Sequence, residues 1–350
     1  MIEALDPGTV FGLFRAQARL SPDAAALVVG DATWSYAQLL DRVERCAGRL
    51  RQLGVGRGVR VAVLSENRAE YTAVQLACAR LGALVACLNW RCTDDELRES
   101  LATVEPRVLA YSARFAPAAA RVRAAATDAV DLEALCSASA APGFVDEAVW
   151  PEDGLLIIFT SGTTGRPRAA VISHRAEIAR MRLLQRDFGI GPGDAYVAWS
   201  PMFHMGGSEH TLASLMFGAP VIVCDGLDVA AIAAALERFR IGWLLLVPAT
   251  LEPLLGELRR SGRRVAGVKL VGCMADLVPA ATIAALCSAV GAPFLNSFGS
   301  TETGLPPLSG HLLKVGDPLT DLGKRLNSGC ELRLVDANGG EAAEGAVGEA

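Results

Sequence analysis

A run of glycine and hydroxyl residues near the middle of the chain has the residue types of an anion-binding loop. Thr160–Gly165 reads TSGTTG, and two arginines, Arg166 and Arg168, follow it. Glycines let backbone N–H groups turn towards a phosphate, and the serine and threonine hydroxyls add hydrogen-bond donors. Arg168 adds a fixed charge with a fork of donors. A phosphate suits these residues, although such a run standing alone is more often a polar turn.

The segments that flank this loop predict that it connects two strands. Apolar Leu155–Phe159 precedes it, apolar Ala169–Ile172 follows it, and Ser173 is a candidate N-cap for a helix that starts near His174. A Walker A loop instead leads from a strand directly into a helix and ends in Gly-Lys followed by Ser or Thr. That ending does not occur here, so the loop is not a Walker A site.

Strands and helices alternate along the chain, which predicts an α/β fold with mostly parallel sheets. The first expected elements are a hairpin over 26–36, a helix capped by Ser35 and Gln38, a strand at Arg60–Leu64 and a helix at Ala69–Leu81. Further strands are expected at Ala83–Leu88, Val108–Tyr111, Tyr196–Trp199, Pro220–Cys224, Trp243–Val247, Lys269–Val271 and Pro293–Asn296. Ligands of such sheets bind beyond the carboxyl ends of the strands.

The composition is that of a globular protein and argues against several classes. The chain has 350 residues, of which 51% are apolar and 20% charged, and its net charge of −5 gives no general attraction to nucleic acid. Its nine cysteines are scattered without a CxxC pair, which predicts buried free thiols in a reducing compartment. Without a recognisable signal peptide or an apolar run long enough to span a bilayer, a cytoplasmic protein is expected.

Two changes in character divide the chain into predicted regions. Ala116–Trp150 is rich in small residues and reads as a surface helix and a linker, which places a linker near 112–154. After Gly310 the character changes again, because Glu331–Val335 alternates and Asp336–Gly340 is a strong turn signal. We therefore expect an α/β core of two subdomains over 1–310 and an incomplete β subdomain over 311–350.

Several motifs in a fixed order resemble those of the adenylate-forming superfamily, which includes acyl-CoA synthetases, luciferase and the adenylation domains of peptide synthetases. TSGTTGRPR resembles its phosphate-binding motif, SPMFHMGG (Ser200–Gly207) its PxFH segment and NSFGSTETG (Asn296–Gly304) its YGxTE segment. WSYAQLLDRV, VAVLSENRAEY and VGDPL resemble flanking regions, so the likeness spans nearly the whole chain. It implies two stacked α/β subdomains followed by the beginning of a small β-barrel, most like those of acyl-CoA synthetases.

The resemblance implies a two-step reaction of a small carboxylic acid. The carboxylate attacks the α-phosphate of ATP, which yields an acyl-adenylate and pyrophosphate, and a thiol, usually that of coenzyme A, then takes the acyl group. Thr301 would contact the α-phosphate, Glu302 would hold Mg²⁺, and His204 would lie near the carboxylate and the path of the thiol. Because the aspartate usual in amino-acid-activating members is absent from the Phe-His segment, a plain carboxylic acid is expected.

The resemblance also implies which residues contact ATP. The β- and γ-phosphates would lie on Thr160, Ser161, Gly162, Thr163, Thr164 and Gly165. The other predicted contacts are Arg168, Gly272, Cys273, Met274, Asn296, Ser297, Phe298, Gly299, Ser300 and Thr301. Phe298 replaces the usual tyrosine and would stack on adenine, since stacking needs only an aromatic face. Cys273-Met274 stands where Gly-Ala is usual, which would narrow the pocket.

Two features depart from the family pattern. The basic residue that ends the loop is Arg168, where lysine is usual, which keeps the charge but changes its shape. The ribose-binding aspartate, the hinge and the mobile C-terminal domain with its catalytic lysine would lie beyond residue 350. We therefore expect weak nucleotide binding and poor adenylation from these 350 residues alone.

Three functions remain open at the level of sequence. The first is an acyl- or aryl-CoA ligase that uses ATP, Mg²⁺ and coenzyme A. The second is a non-catalytic module that binds an acyl group or a nucleotide. The third is an adenylation domain that loads a carrier protein. The sequence leaves open which acid is used and whether the protein is a monomer or a homodimer.

Overall fold

The computed structural model describes residues 8–125, 127–139, 148–160, 168–274, 276, 278–317 and 323–350. Its helices are α1 (Val10–Leu20), α2 (Tyr36–Gln52), α3 (Ala69–Leu81), α4 (Asp94–Val104), α5 (Ala116–Val122), α6 (Leu132–Ser137), α7 (His174–Phe188), α8 (Met205–Phe217), α9 (Val229–Arg238), α10 (Leu251–Ser261) and α11 (Ala280–Val290). Short 3₁₀ turns lie at Ala113–Phe115 and Pro248–Thr250.

The strands are β1 (Ala25–Val29), β2 (Ala32–Ser35), β3 (Arg60–Leu64), β4 (Leu84–Cys87), β5 (Val108–Tyr111), β6 (Asp128–Asp131), β7 (Gly154–Thr160), β8 (Arg168–Ser173), β9 (Tyr196–Ala198), β10 (Val221–Val223), β11 (Ile241–Leu245), β12 (Val268–Cys273), β13 (Phe294–Asn296), β14 (Phe298–Ser300), β15 (Gly304–Leu308) and β16 (Leu312–Leu313). Each strand expected before residue 300 is present within a few residues of its predicted bounds. The hairpin β1–β2, the capping box of Ser35 with Gln38 and the helix α3 are likewise confirmed.

The first sheet has six strands in the order β6-β5-β3-β4-β7-β8. Its first five strands run parallel, and β8 pairs antiparallel with β7. The β8 strand can run antiparallel because it follows β7 through a short loop, whereas parallel strands need a crossover such as a helix. The phosphate-type loop is therefore the tip of a hairpin at one edge of this sheet.

Two four-stranded sheets, β2-β1-β10-β9 and β11-β12-β13-β16, form the second half of the fold. A parallel bridge from Ala195 to Ile241 connects them. One hydrophobic core contains residues of these sheets, of the first sheet and of α1, α2, α3 and α8, so these helices pack between the two halves. Every residue of α8 is buried, which explains why its sequence has no polar face.

Two regions differ in detail from the sequence analysis. The described part of 116–150 contains α5, α6 and the edge strand β6, which extends the first sheet, where we expected only a surface helix and a linker. The sequence of β6, Asp-Ala-Val-Asp, is too short and polar to signal a strand. The division of the chain at 112–154 and 310 stays a prediction.

The predicted strand at Glu331–Val335 is reduced to isolated bridges from Val335 to Glu341 and Glu349. The predicted turn is present, because the Asp336 N–H donates to the Gly340 carbonyl at 2.8 Å. Leu332 and Leu334 remain exposed, so this segment lacks the apolar burial that stabilises a strand. Within residues 323–350, the predicted beginning of a barrel is therefore only a turn with flanking extended chain.

All nine cysteines are free thiols, and seven of them are buried, as the scattered spacing predicts. Of the helices that the structure describes, none has the length and apolar character needed to cross a bilayer.

Candidate functional site

The ends of the phosphate-type loop face each other across the β7–β8 hairpin. Thr160 is the register partner of Arg168, with Thr160 half-buried and Arg168 exposed. This pairing confirms the predicted strand-to-strand setting of the loop. Ser161, Gly162, Thr163, Thr164 and Gly165 lie outside the described residues, so their role as phosphate ligands stays a prediction.

The β8 strand leads straight into α7, which starts as the sequence predicts. The Ser173 hydroxyl accepts a hydrogen bond from the Ala176 N–H at 3.2 Å and caps the helix. His174 is fully buried, and its Nδ1 accepts from the Val10 N–H at 3.2 Å. Burial lowers the pKa of His174 to about 4. This histidine therefore has a structural role at the start of α7.

The Ser200–Gly207 segment is held in place by a buried asparagine of the first half of the fold. Asn67 Nδ2 lies within hydrogen-bonding distance of the Ala198, Ser200 and Cys224 carbonyls, at 3.1, 2.8 and 3.1 Å. Its Oδ1 accepts from the Met202 N–H at 2.8 Å. A single side chain thus fixes the chain between β9 and α8. Asn67 lies in the family-like segment SENRAEY, but its role could not be predicted from the sequence because its partners lie more than one hundred residues away.

His204 is the N-cap of α8, with extended backbone dihedrals. Its Nδ1 accepts a hydrogen bond from the Gly206 N–H at 3.3 Å. The residue keeps contact with solvent, yet desolvation of its ring lowers its pKa. A neutral imidazole whose Nδ1 accepts a hydrogen bond carries its proton on Nε2. Nε2–H is thus left as a donor at the start of a helix.

The ends of β12 and β13 bring two predicted segments side by side. Cys273 pairs with Asn296, and Asn296 Nδ2 donates to Asp276 at 3.5 Å. Gly272 must be glycine, because a Cβ there would stand 2.1 Å from Trp243 Nε1. At this edge Met274 and Phe298 are about half exposed, at 54% and 48%, although both are large apolar side chains. Exposed apolar surface of this kind suits a flat ligand.

The Asn296–Gly304 segment ends in a tight hairpin of β14 and β15. Phe298 pairs with Leu308, and Ser300 pairs with Gly304. Ser300 and Thr303 exchange hydrogen bonds, since the Ser300 N–H donates to Thr303 Oγ1 at 3.0 Å and the Thr303 N–H donates to Ser300 Oγ at 3.2 Å. Ser297 is buried, and Gly299, which lies between Phe298 and Ser300, is half-buried. The turn between the strands presents Thr301, which is half-buried, and Glu302, which is exposed.

The turn at Thr301–Glu302 contacts α7 through one arginine. Arg180 Nη2 donates to the Glu302 carbonyl at 2.8 Å and to the Thr301 carbonyl at 3.4 Å. Its Nη1 donates to the Glu209 carboxylate on α8. The sequence analysis missed both Arg180 and Glu209, because helical periodicity does not tell which turn of another element a side chain will reach.

The structure therefore brings several of the predicted residues together. Strand pairing places Gly272 and Cys273 beside Asn296, and Arg180 joins the Thr301–Glu302 turn to the helix that His204 caps. Within the described part of the chain, no three histidine, cysteine or acidic side chains gather as a metal site.

Comparisons with known proteins agree with this arrangement. The sequence profile of the family described as AMP-binding enzyme matches residues 14–350. An indoleacetate–CoA ligase of Aromatoleum aromaticum is 34% identical over 348 residues, which cover 95% of this chain and 67% of the relative. FadD10 of Mycobacterium tuberculosis, a medium/long-chain-fatty-acid–[acyl-carrier-protein] ligase, is 30% identical, with 88% of this chain and 61% of the relative covered.

A solved structure shares the whole fold. The inhibitor-bound N-terminal domain of FACL13 from Mycobacterium tuberculosis matches with a TM-score of 0.83 at 25% identity, covering 95% of this chain and 86% of that one. This likeness confirms the α/β class with mostly parallel sheets. The chain spans 61% to 67% of the length of the two curated relatives.

Proposed function

The chain belongs to the AMP-binding enzyme family, and from that premise we propose that it is the nucleotide-binding portion of a ligase. The ligase would activate a carboxylic acid with ATP and transfer the acyl group to coenzyme A. The observation that carries this proposal is the shared edge where β12, β13 and the β14–β15 hairpin meet. Two segments that resemble family motifs, 272–274 and 296–304, contribute to this edge, and Arg180 connects the turn beyond it to α8.

On this proposal the exposed apolar side chains at the edge receive the adenine ring. Phe298 would stack on one face, and Met274 would cover part of the ring from the end of β12. The Gly272 position has no room for a side chain, because it lies close against the Trp243 indole. The phosphates would extend from this edge towards the loop between Thr160 and Arg168, whose N–H groups and charge suit them.

The residues of the turn suit a magnesium ion together with phosphate. Glu302 offers an exposed carboxylate, and no hydrogen bond or ion pair reaches that carboxylate from the described residues. Magnesium prefers hard oxygen ligands and keeps several waters, so one carboxylate plus phosphate oxygens is a typical set. When bound, the ion would neutralise charge on the phosphates. Thr301 would donate its hydroxyl to the α-phosphate.

His204 would orient the acid. Since Nδ1 already accepts from the Gly206 N–H, the neutral ring presents Nε2–H, which can donate to a carboxylate oxygen. A hydrogen bond from a neutral imidazole holds the carboxylate without neutralising its negative charge, so the carboxylate oxygen stays nucleophilic. The same position at the start of α8 would lie on the path of the incoming thiol.

A second candidate function is the transfer of the acyl group to a carrier protein. Its support is the 30% identity with FadD10, whose name states an acyl-carrier-protein acceptor. The two candidates share the adenylation step and differ only in the thiol. They are therefore separated by the acceptor and not by the residues described above.

The experiment measures ATP–pyrophosphate exchange by the complete protein with a panel of aryl-acetic, aryl-propenoic and fatty acids. Exchange with at least one acid is expected, followed by thioester formation with coenzyme A. Thioester formation with a phosphopantetheinylated carrier and not with coenzyme A would favour the second candidate. Binding of nucleotide without exchange for any acid would contradict both and favour a non-catalytic binding module.

A further inference from the structure

We propose that Arg180 is a positioning residue that fixes the Thr301–Glu302 turn against α8, so that the phosphate end and the acid end of the site share one geometry. This inference rests on the proposed function and names a residue that none of the motifs includes. Arg180 lies on α7, and its side chain is only 11% exposed.

The contacts of Arg180 divide between two elements. One terminal nitrogen, Nη1, pairs with the Glu209 carboxylate of α8, and that side chain is 4% exposed. The other, Nη2, donates to the backbone carbonyls of Glu302 and Thr301 at 2.8 and 3.4 Å. A guanidinium suits this task because its planar fork directs donors in two fixed directions. Lysine, a single point charge, cannot serve both elements in the same way.

The β14–β15 hairpin packs closely against the Arg180 side chain. Gly304 has φ +76°, and a Cβ at that position would lie 2.6 Å from Arg180 Nε and 2.8 Å from its Cδ. The backbone that returns from the turn therefore passes directly over the arginine. A side chain at residue 304 would push the two apart, in addition to the strain that positive φ causes in any residue with a Cβ.

The charged side chains around Arg180 also bear on its pairing with Glu209. Glu177 is buried one helical turn before Arg180, and neither of its carboxylate oxygens has a hydrogen-bond partner among the described residues. Burial and the nearby Glu209 raise the pKa of Glu177 well above its usual range, while Arg180 lowers it. One guanidinium thus faces two carboxyl groups, and its hydrogen bond goes to Glu209, whose pKa burial raises to about 7 while Arg180 lowers it.

Loss of the Arg180 contacts should affect the transfer step of the reaction more than the binding of ATP. The Glu302 carboxylate and the Thr301 hydroxyl project from the two residues whose carbonyls Arg180 holds. Losing that anchor would let the turn shift without removing the groups that bind adenine on β13 and β14. The expected signature is a lower kcat with little change in the KM for ATP, because the shifted groups act on the phosphates during transfer.

The test compares Arg180→Met and Arg180→Lys with Arg175→Met in the complete protein. Arg175 lies on the same helix, and among the described residues its side chain pairs with Glu152, where both side chains are about two-thirds exposed. For Arg180→Met, kcat in pyrophosphate exchange should fall about 30-fold or more, with the KM for ATP within about threefold. Arg180→Lys should recover part of kcat, and Arg175→Met should match the wild type. Amides of residues 298–304 should exchange hydrogen faster in Arg180→Met.

A folded Arg180→Met variant with kcat within about twofold of wild type, or with an effect on KM alone, would overturn the proposal. If that variant does not fold, Glu209→Gln supplies the test, since it replaces the charged partner of Arg180 by a neutral amide of the same shape. Its loss in kcat should not add to that of Arg180→Lys. If wild type shows no exchange with any acid, the proposed function fails, and the hydrogen-exchange comparison still decides whether Arg180 fixes the turn.

Discussion

The Glu302 carboxylate at the β14–β15 turn is exposed, whereas the Glu209 carboxylate on α8 is buried, and Arg180 contacts both residues. The exposed carboxylate has no hydrogen bond or ion pair from the described residues. The buried carboxylate accepts a hydrogen bond from Arg180. The groups proposed to act on the ligand thus lie at an exposed edge, whereas the groups that position them, Asn67, Arg180 and Glu209, form what we call the buried layer.

This division has a physical reason. A group that binds a metal or a phosphate must exchange water for ligand, so it cannot already be satisfied by the protein. A group that positions it must do the opposite, because an unpaired buried polar atom costs about 1–3 kcal/mol. Substitutions in the buried layer should therefore change stability first, and those at the exposed edge should change activity alone.

The largest expected effect is that of Asn67→Ala in the buried layer. It removes the hydrogen bonds to the carbonyls of 198, 200 and 224 and to the Met202 N–H, so the unfolding free energy should fall by about 4 kcal/mol. Denaturant unfolding measures this fall in unfolding free energy. Asn89→Ala, which removes a single bond from the Arg91 N–H at the surface, should cost less than about 1 kcal/mol. Equal losses in the two variants would contradict the comparison.

The next effect is a pH dependence of stability from His210, which is buried within α8. Burial lowers its pKa to about 4, so the folded state binds fewer protons than the unfolded state between pH 6.5 and 4. The stabilisation is complete above pH 6.5 and is lost as the pH falls towards 4, by up to about 3 kcal/mol. His210→Gln should flatten the fall in unfolding free energy over this window. A fall of unchanged steepness in His210→Gln would contradict this prediction.

At the exposed edge, Glu302→Gln should leave stability within about 0.5 kcal/mol of wild type, since the side chain is exposed. If Glu302 holds magnesium, the rate of pyrophosphate exchange should fall about 100-fold. Glu331→Gln, at another exposed glutamate, is the matched control and should retain full activity. An unchanged rate in Glu302→Gln at every magnesium concentration would remove Glu302 from the site.

The smallest effect is expected for Phe298, whose ring is half exposed. Phe298→Ala should weaken AMP binding about tenfold, because it removes the stacking face, and Phe298→Tyr should bind as the wild type does. Calorimetry with AMP gives both values, and thermal unfolding should show little change. If alanine and tyrosine bind AMP equally well, adenine lies elsewhere.

Much of the fold was predictable because its signals are local. The apolar runs of the parallel strands, the capping box at Ser35 and the Ser173 cap depend on neighbours within a few residues of each other. β6 was missed because a short strand at the edge of a sheet needs no apolar pattern of its own. Glu331–Val335 was read as a strand on alternation alone, but alternation stabilises a strand only where an adjacent strand and a core exist.

The sequence by itself determined the α/β architecture, the hairpin setting of the phosphate-type loop and the residue types that can meet ATP. Those properties follow from periodicity, turn chemistry and motif order, which are written in consecutive residues. Only the tertiary structure decided that Arg180 reaches the carbonyls of residues 301 and 302, and that Asn67 fixes the segment before His204. Such contacts join residues more than one hundred positions apart, and only packing of the complete chain brings their atoms within hydrogen-bonding distance.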